Sequence, residues 1–286
     1  MSIGGARSAR YGDDVVSRFT LFGPTRDGRI KPDLVGPARV LAGDINLDGN
    51  ASTCDITSQE GTSWASPSIA GAAALVRQYF TDGFYPTGTR KAGDALAPSA
   101  ALLKATLIAA ARPLRWRHDI VLNDLVDALP TPSHEQGWGF PVLDDALYFD
   151  GEARRTRVVD VPLSKGLAAG QSSTIRVNAR AGTPLKAVLV WTDPPGVAGG
   201  AIDPTPQLVN DLDLRVTTSG ATHLGNGAVP DRRNNVEVVS IAAPAAGTYE
   251  ITVSAQSLGV GPRQSYALVI TGDFDSLPTR MRAVRH

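Results

Sequence analysis

The sequence predicts two unlike parts: an α/β segment over residues 1–150, then an all-β sandwich or jelly roll over 151–275. Three observations predict this. The texture changes near 151–157, from Gly/Pro-rich loops and alanine-rich stretches to short β-type runs. Two stretches of the first part carry helical periodicity. Several stretches of the second part are short, apolar and bounded by turn residues.

Each element follows from local chemistry. A helix is expected to start at Ser66-Pro67 and to run to about Phe80, since proline suits the first helical position and Ala70, Ala73, Ala74 and Val76 make a small-residue body. A second is expected from Pro98-Ser99, where Leu102, Leu103, Thr106, Leu107 and Ala110 recur at helical spacing and Pro113 stops the run. Strands are expected at 185–191, 208–217, 236–241, 248–255 and 265–271, with Pro, Gly and Ser turn signals between them. Residues 276–286 form a basic tail with Arg280, Arg282 and Arg285.

Composition bounds the function classes. The chain has 286 residues, 42% hydrophobic and 20% charged, which is globular rather than disordered. Net charge is zero, so no overall field pulls it toward nucleic acid or an anionic membrane, and neither partner is expected. Cys54 is the one cysteine, so no disulfide forms within the chain. Residues 1–20 show no apolar core of a signal peptide, and no run is long enough to span a bilayer.

The segment that carries chemistry is Gly61-Thr62-Ser63-Trp64-Ala65-Ser66-Pro67. A glycine lets a substrate backbone approach closely. Ser63 is expected just ahead of a helix, where free N–H groups and the positive end of the dipole favour an oxyanion. The competing reading of Ser63 is a helix cap, although Ser66 is the better cap candidate before Pro67.

This segment resembles the nucleophile motif of the subtilisin-like serine proteases, Gly-Thr-Ser-x-Ala-[Ser/Thr]-Pro followed by a helix. Gly23-Pro24-Thr25, Asp27-Gly28-Arg29 and Lys31-Pro32-Asp33 resemble the strand and loop ahead of that nucleophile. Leu102-Leu103-Lys104 and Gln136-Gly137-Trp138-Gly139 resemble the end of the catalytic domain. Trp191-Thr192-Asp193, Asn210-Asp211-Leu212-Asp213-Leu214 and Arg233-Asn234-Asn235 are similar to the β-barrel appended in the oxidatively stable alkaline protease branch. The resemblance implies that residues 1–150 are the C-terminal part of a parallel-sheet catalytic domain. It also implies Ser63 as the nucleophile and a polypeptide as substrate. An intact protease of this kind would be secreted.

Departures accompany the resemblance. Thr20-Leu21-Phe22 stands where the family has Ser-Ser-Arg, Val35-Gly36-Pro37 where it has Ala-Pro-Gly, and Trp64 where it has methionine. A serine also needs a base, and a group to orient that base. The family order is Asp, His, Ser, yet no histidine precedes Ser63; His118, His134, His223 and His286 all follow it. The Asp and His are therefore expected on an N-terminal segment of the same protease outside this chain, and the chain alone is expected to be inactive. The alternative is a non-catalytic, truncated subtilase acting as a calcium-stabilised binding or structural module.

Two calcium sites are expected. Asp211 and Asp213 fall on one face of a strand, and Asn210 and Asp193 can add oxygens; solvated turn-capping acids are the competing reading. Asp44, Asn46, Asp48 and Asp55 match part of a calcium loop, with Asp in place of the usual bidentate Glu, but a surface turn has the same composition. The incomplete first part should leave helix faces bare, and 151–275 is expected to fold by itself.

Overall fold

The computed structural model describes residues 1–7, 14–43, 56–198 and 203–275. Its first part holds strands β1 (Ile3–Arg7), β2 (Val15–Val16), β3 (Leu34–Pro37), β4 (Arg39–Gly43) and β5 (Ile56–Glu60). Helices α1 (Thr62–Thr81) and α2 (Ala100–Ala109) follow, then β6 (Ala111–Arg112), β7 (Trp116–Asp119), β8 (Asp124–Asp127) and β9 (Phe140–Pro141). One five-stranded sheet runs β3-β1-β2-β7-β8. It is mixed: β1/β3 and β2/β7 are parallel, β1/β2 and β7/β8 antiparallel.

The second part is built from β10 (Arg155–Val161), β11 (Ser172–Ala179), β12 (Leu185–Val190), β13 (Asn210–Thr218), β14 (Ala221–Leu224), β15 (Val236–Ile241), β16 (Gly247–Leu258) and β17 (Tyr266–Gly272). They make two four-stranded sheets, β10-β17-β12-β15 and β11-β16-β13-β14. Between the sheets lies a core of Leu189, Trp191, Leu212, Leu214, Ile251 and Leu268. Asp211 and Asp213 share the face away from it while Leu212 and Leu214 point in, as a period of two requires.

Helix α2 joins the two parts. Every residue from Ala105 to Ala109 is buried. A helix apolar all round needs cover on all sides. Helix α1 and β9 cover one side; β12 and β17 cover the other, through Val188, Val190, Ala267 and Val269, which share a core with Leu102 and Ala105. The sheet β10-β17-β12-β15 is thus buried on both faces, which explains the apolar runs Ala187–Val190 of β12 and Tyr266–Ile270 of β17. Ser99 caps α2 by accepting from Leu102 N at 3.0 Å, as expected.

This shared core departs from the expectation that 151–275 stands alone. Separated from α2, the sandwich would bare Val158, Val188, Val190, Ala267 and Val269. The bare helix face falls instead on α1, where Ala70, Ala74 and Leu75 are exposed, Leu75 by 56%.

A buried ion cluster fixes α2 to β3. Asp33 is fully buried; its Oδ1 meets Lys31 Nζ at 2.7 Å and Lys104 Nζ at 2.8 Å, and its Oδ2 accepts from Ser2 N at 2.6 Å. Burial works to raise its pKa, but the Lys104 and Lys31 ammonium groups outweigh burial and hold it down at about 2.

Two outcomes are expected. Leu102→Ala should cost about 2–5 kcal/mol, and guanidinium unfolding followed separately at Trp138 and Trp191 should shift to the same lower midpoint. Two separated midpoints would show that the parts melt apart. Asp33 stabilises the fold above its unfolded pKa of about 4, and that contribution is lost as pH falls toward 2. Asp33→Asn should therefore cost about 3–5 kcal/mol at neutral pH. It should also flatten the stability–pH curve between pH 4 and 2, read by thermal melts across that range.

Candidate active site

Ser63 is placed by two glycines and a proline. Gly36 on β3 lets α1 lie close: a Cβ there would come within 2.7 Å of Ile69 Cγ1 and 3.0 Å of the Ala65 carbonyl. Gly61 turns the chain from β5 into α1 at φ 156° and ψ 160°, a region open essentially to glycine alone. The helix then starts at Thr62, not at Ser66-Pro67 as the sequence reading placed it, and Pro67 lies inside it. Ser63 is accordingly the second helical residue and does not precede the helix. Ser66 is not the cap; Gly61 is, without a side-chain bond.

The consequences are chemical. The Ser63 side chain is exposed. Its N–H belongs to the first turn, which has no intrahelical acceptor, and it sits at the positive end of a 20-residue helix. Proline at 67 has no N–H to give the Ser63 carbonyl, so that carbonyl also lacks its usual helical partner. Ser68 Oγ donates to the Trp64 carbonyl at 2.9 Å, and Trp64 N donates to the Gly61 carbonyl at 3.1 Å, which pins the turn around the hydroxyl. An exposed hydroxyl beside free N–H groups at a helix N-terminus is a setting in which an oxyanion can be stabilised.

No histidine supplies that base among the described residues. His118 lies on β7, His134 in the turn at 133–137, and His223 on β14. The Nδ1 atoms of His118 and His134 are buried without a hydrogen-bond partner. His286 lies outside the described residues.

The expected metal ligands divide. Asp44, Asn46, Asp48 and Asp55 lie outside the described residues. Asp193, Asn210, Asp211 and Asp213 do not close around one point. Asp193 caps the start of β13, its carboxylate accepting from Val209 N at 2.9 Å and Asn210 N at 2.7 Å. Asn210 turns its side chain to Val260 and Gln264. Asp211 and Asp213 instead flank the Arg232 guanidinium, at 3.0 and 2.5 Å. A cation is present there already, carried by the chain. Among the described residues no three His, Cys, Asp or Glu side chains have the geometry to hold a metal.

One acid of this cluster escaped the sequence reading. Glu237 on β15 is 1% exposed, and burial pushes its pKa up to about 9, with Asp213, Asp231 and Asp211 adding to the rise. Its Oε2 accepts from Leu214 N at 2.5 Å, while Oε1 and the neighbouring Asp211 Oδ1 are buried without a hydrogen-bond partner. Burial also raises Asp211, to about 6, against the pull of Arg232. The signal in the sequence was a carboxylate at the second position of an otherwise apolar strand, Val-Glu-Val-Val.

Comparison with known proteins places these features. Residues 1–139 match the subtilase family, and residues 171–255 match the bacterial pre-peptidase C-terminal domain. The serine protease/ABC transporter B family protein tagB of Dictyostelium discoideum is 28% identical over 317 aligned positions, covering 92% of this chain and 16% of that protein. A PII-type proteinase of Lacticaseibacillus paracasei is 32% identical over 120 residues, 41% of this chain and 6% of that protein. The chain thus spans less than a fifth of the length of these relatives. Among solved structures, the periplasmic lysozyme inhibitor PliG of Aeromonas hydrophila reaches a TM-score of only 0.26 at 14% identity, over 44% of this chain and 90% of that one. With the motif around Ser63 seated at the start of α1 and the family match running through it, residues 1–139 are a segment of the subtilase family, the serine peptidases of family S8, and a pre-peptidase C-terminal domain follows at residues 171–255.

Proposed function

We propose that this chain is the nucleophile-bearing part of a serine endopeptidase and needs an Asp- and His-bearing segment of the same protease to act. The observation that carries this is Ser63 itself: exposed, in the first turn of α1, beside N–H groups without intrahelical acceptors. The exposed Ala70, Ala74 and Leu75 on the same helix supply an apolar face for that segment to cover. In the joined site the imidazole of the segment takes the Ser63 Oγ proton as Oγ attacks the peptide carbonyl carbon. The Ser63 N–H donates to the oxyanion. The imidazolium then returns the proton to the leaving amine, and water hydrolyses the acyl-enzyme. An extracellular site of action goes with this reading.

The second part is read as a jelly roll. Support comes from its strand order: numbered from β10 as first to β17 as eighth, the sheets run 1-8-3-6 and 2-7-4-5, the arrangement in which two Greek keys close on each other. Calcium is proposed at Asp211 and Asp213, supported by the unpaired, buried Asp211 Oδ1. There the ion must displace Arg232 and would supply only charge compensation.

The departures at Thr20-Leu21-Phe22 and Trp64 favour a second reading, a non-catalytic module. Leu21 is 91% exposed where the family carries a polar residue. One experiment separates the two. Fluorophosphonate labelling of Ser63 should be absent for the chain alone and appear when a subtilase segment bearing Asp and His is added. Ser63→Ala should abolish it, and hydrolysis should fall by roughly 10⁴-fold or more. Failure to label with the segment bound would leave the module reading. For the metal, saturating calcium should raise the melting temperature of the native chain but not of Asp211→Asn. No rise in either removes calcium and leaves Arg232 as the resident cation.

A further inference from the structure

A loop of the first part, 25–31, lies against a loop of the second, 231–235. Ile30 N donates to Asn234 Oδ1 at 2.8 Å and ties them together. Beside that bond, Arg233 lies on the backbone of Gly28: a Cβ there would come within 2.1 Å of Arg233 Nη1. Gly28 also has φ 83°, so its glycine meets two demands, a left-handed turn and the close approach of a guanidinium. These contacts set Arg233 beside Arg29, the residue after Gly28. Both line one cavity of about 360 Å³.

The acids nearby are already committed. Asp27 meets Arg29 at Nε, 2.6 Å away, on the inner edge of its guanidinium. Asp231 holds the backbone of Arg233, accepting from its N–H at 2.8 Å, and not its side chain. The Arg233 guanidinium makes no ion pair or hydrogen bond among the described residues. Asp193 is the one carboxylate in the cavity wall, and its two oxygens accept from Val209 N at 2.9 Å and Asn210 N at 2.7 Å. Two guanidinium groups on one small cavity repel each other, and an anion between them relieves that repulsion.

The donors state which anion. A guanidinium presents parallel N–H groups that match two oxygens of one acceptor group. A carboxylate has oxygens enough for one such fork, whereas a phosphate can meet two. The volume is near the lower end for ligand sites, with room for a phosphate and a small group attached to it. Pro194, Pro195 and Val197 supply an apolar side for that group to rest on. We propose that Arg29 and Arg233 form a site for a phosphate-type oxyanion, free or as the monoester of a small molecule, whose binding clamps the two parts of the chain together. The inference does not use Ser63, and it stands whether or not the chain hydrolyses peptides.

The test is isothermal titration calorimetry on the full chain in calcium-free, low-chloride buffer, with inorganic phosphate, glycerol phosphate and acetate. Phosphate should bind at least tenfold more tightly than acetate, since acetate can satisfy one fork only. Glycerol phosphate binding as well as phosphate assigns the monoester; exclusion of glycerol phosphate assigns the free ion. Arg233→Ala should weaken phosphate binding about tenfold or more, and Arg233→Lys, which keeps the charge without the fork, should fall between. Arg26→Ala, on the same loop but outside the cavity wall, should leave binding unchanged. Phosphate should raise the melting temperature of the native chain but not of Arg233→Ala, as a ligand held by both parts requires. No heat and no melting shift at tens of millimolar phosphate overturn the proposal. So does equal binding of acetate and phosphate, or phosphate binding that Arg233→Ala leaves untouched.

Discussion

Much of the molecule depends on the cover of one short helix. Helix α2 has only ten residues, and every residue from Ala105 to Ala109 is buried, so its C-terminal half borders no water. Helix α1 and β9 shield one side, and the sheet β10-β17-β12-β15 shields the other. The sandwich gains from the same contact, since Val188, Val190, Ala267 and Val269 would otherwise stand bare on its outer face. At about 25 cal/mol for each Å² of apolar surface removed from water, neither surface can be left open cheaply. Even the polar contacts of the junction follow. Lys186 is carried on the buried face of β12 because the carbonyls ending α2 need donors there. Asp160 of β10 holds the other end, accepting from Ser99 N at 2.8 Å and Ser99 Oγ at 2.6 Å.

The position of Ser63 follows from that packing. The body of α1 rests on β1 and β3 through Ile69 and Val76, and α2 locks it from behind. Gly36 sets the approach distance and Gly61 the entry angle. The helix can then run through Pro67, because the one bond that proline forfeits is to the carbonyl of Ser63, at an end already open to solvent. The price is a weak first turn, and the gain is an exposed hydroxyl beside unsatisfied N–H groups.

The local geometry around Ser63 was legible in part from seven residues, since Gly61 through Pro67 name a tight turn, a hydroxyl and a helix start. The start itself was misplaced by about a turn, because Pro67 was read as the first helical position when the helix begins at Thr62 and Pro67 sits inside it. Helix α2 was legible through Ser99 and the leucine spacing, but its surroundings were not read. The cue was present: Leu185 through Val190 and Tyr266 through Ile270 show hardly any polar alternation, the mark of a sheet covered on both faces. Asp211 and Asp213 were correctly put on one face, yet sequence separation hid Arg232 between them, because an ion pair bridging β13 and a loop nineteen residues on leaves no local pattern. Glu237 left a local sign, a carboxylate inside the apolar run Val236–Val239, but its partners lie on other elements.

Buried charge explains the remaining polar design. Asp33 is deeply buried and stays ionised, since two ammonium groups converge on one of its oxygens. Asp211 and Asp213 have one guanidinium between them, enough to keep Asp211 near 6 but not at its ordinary value. Glu237 has no cation of its own, so burial leaves it neutral at physiological pH. That neutrality is consistent with Arg232 serving two carboxylates rather than three. Raising the pH through 9 would ionise Glu237 beside Asp211 and Asp213 and set a third negative charge against a single cation. A folded pKa above the unfolded one means the stability it confers is full at low pH and declines from about 4.5 to about 9. Glu237 is thus stabilising with its proton on and Asp33 with its proton off, so the two buried acids withdraw their contributions at opposite ends of the pH range.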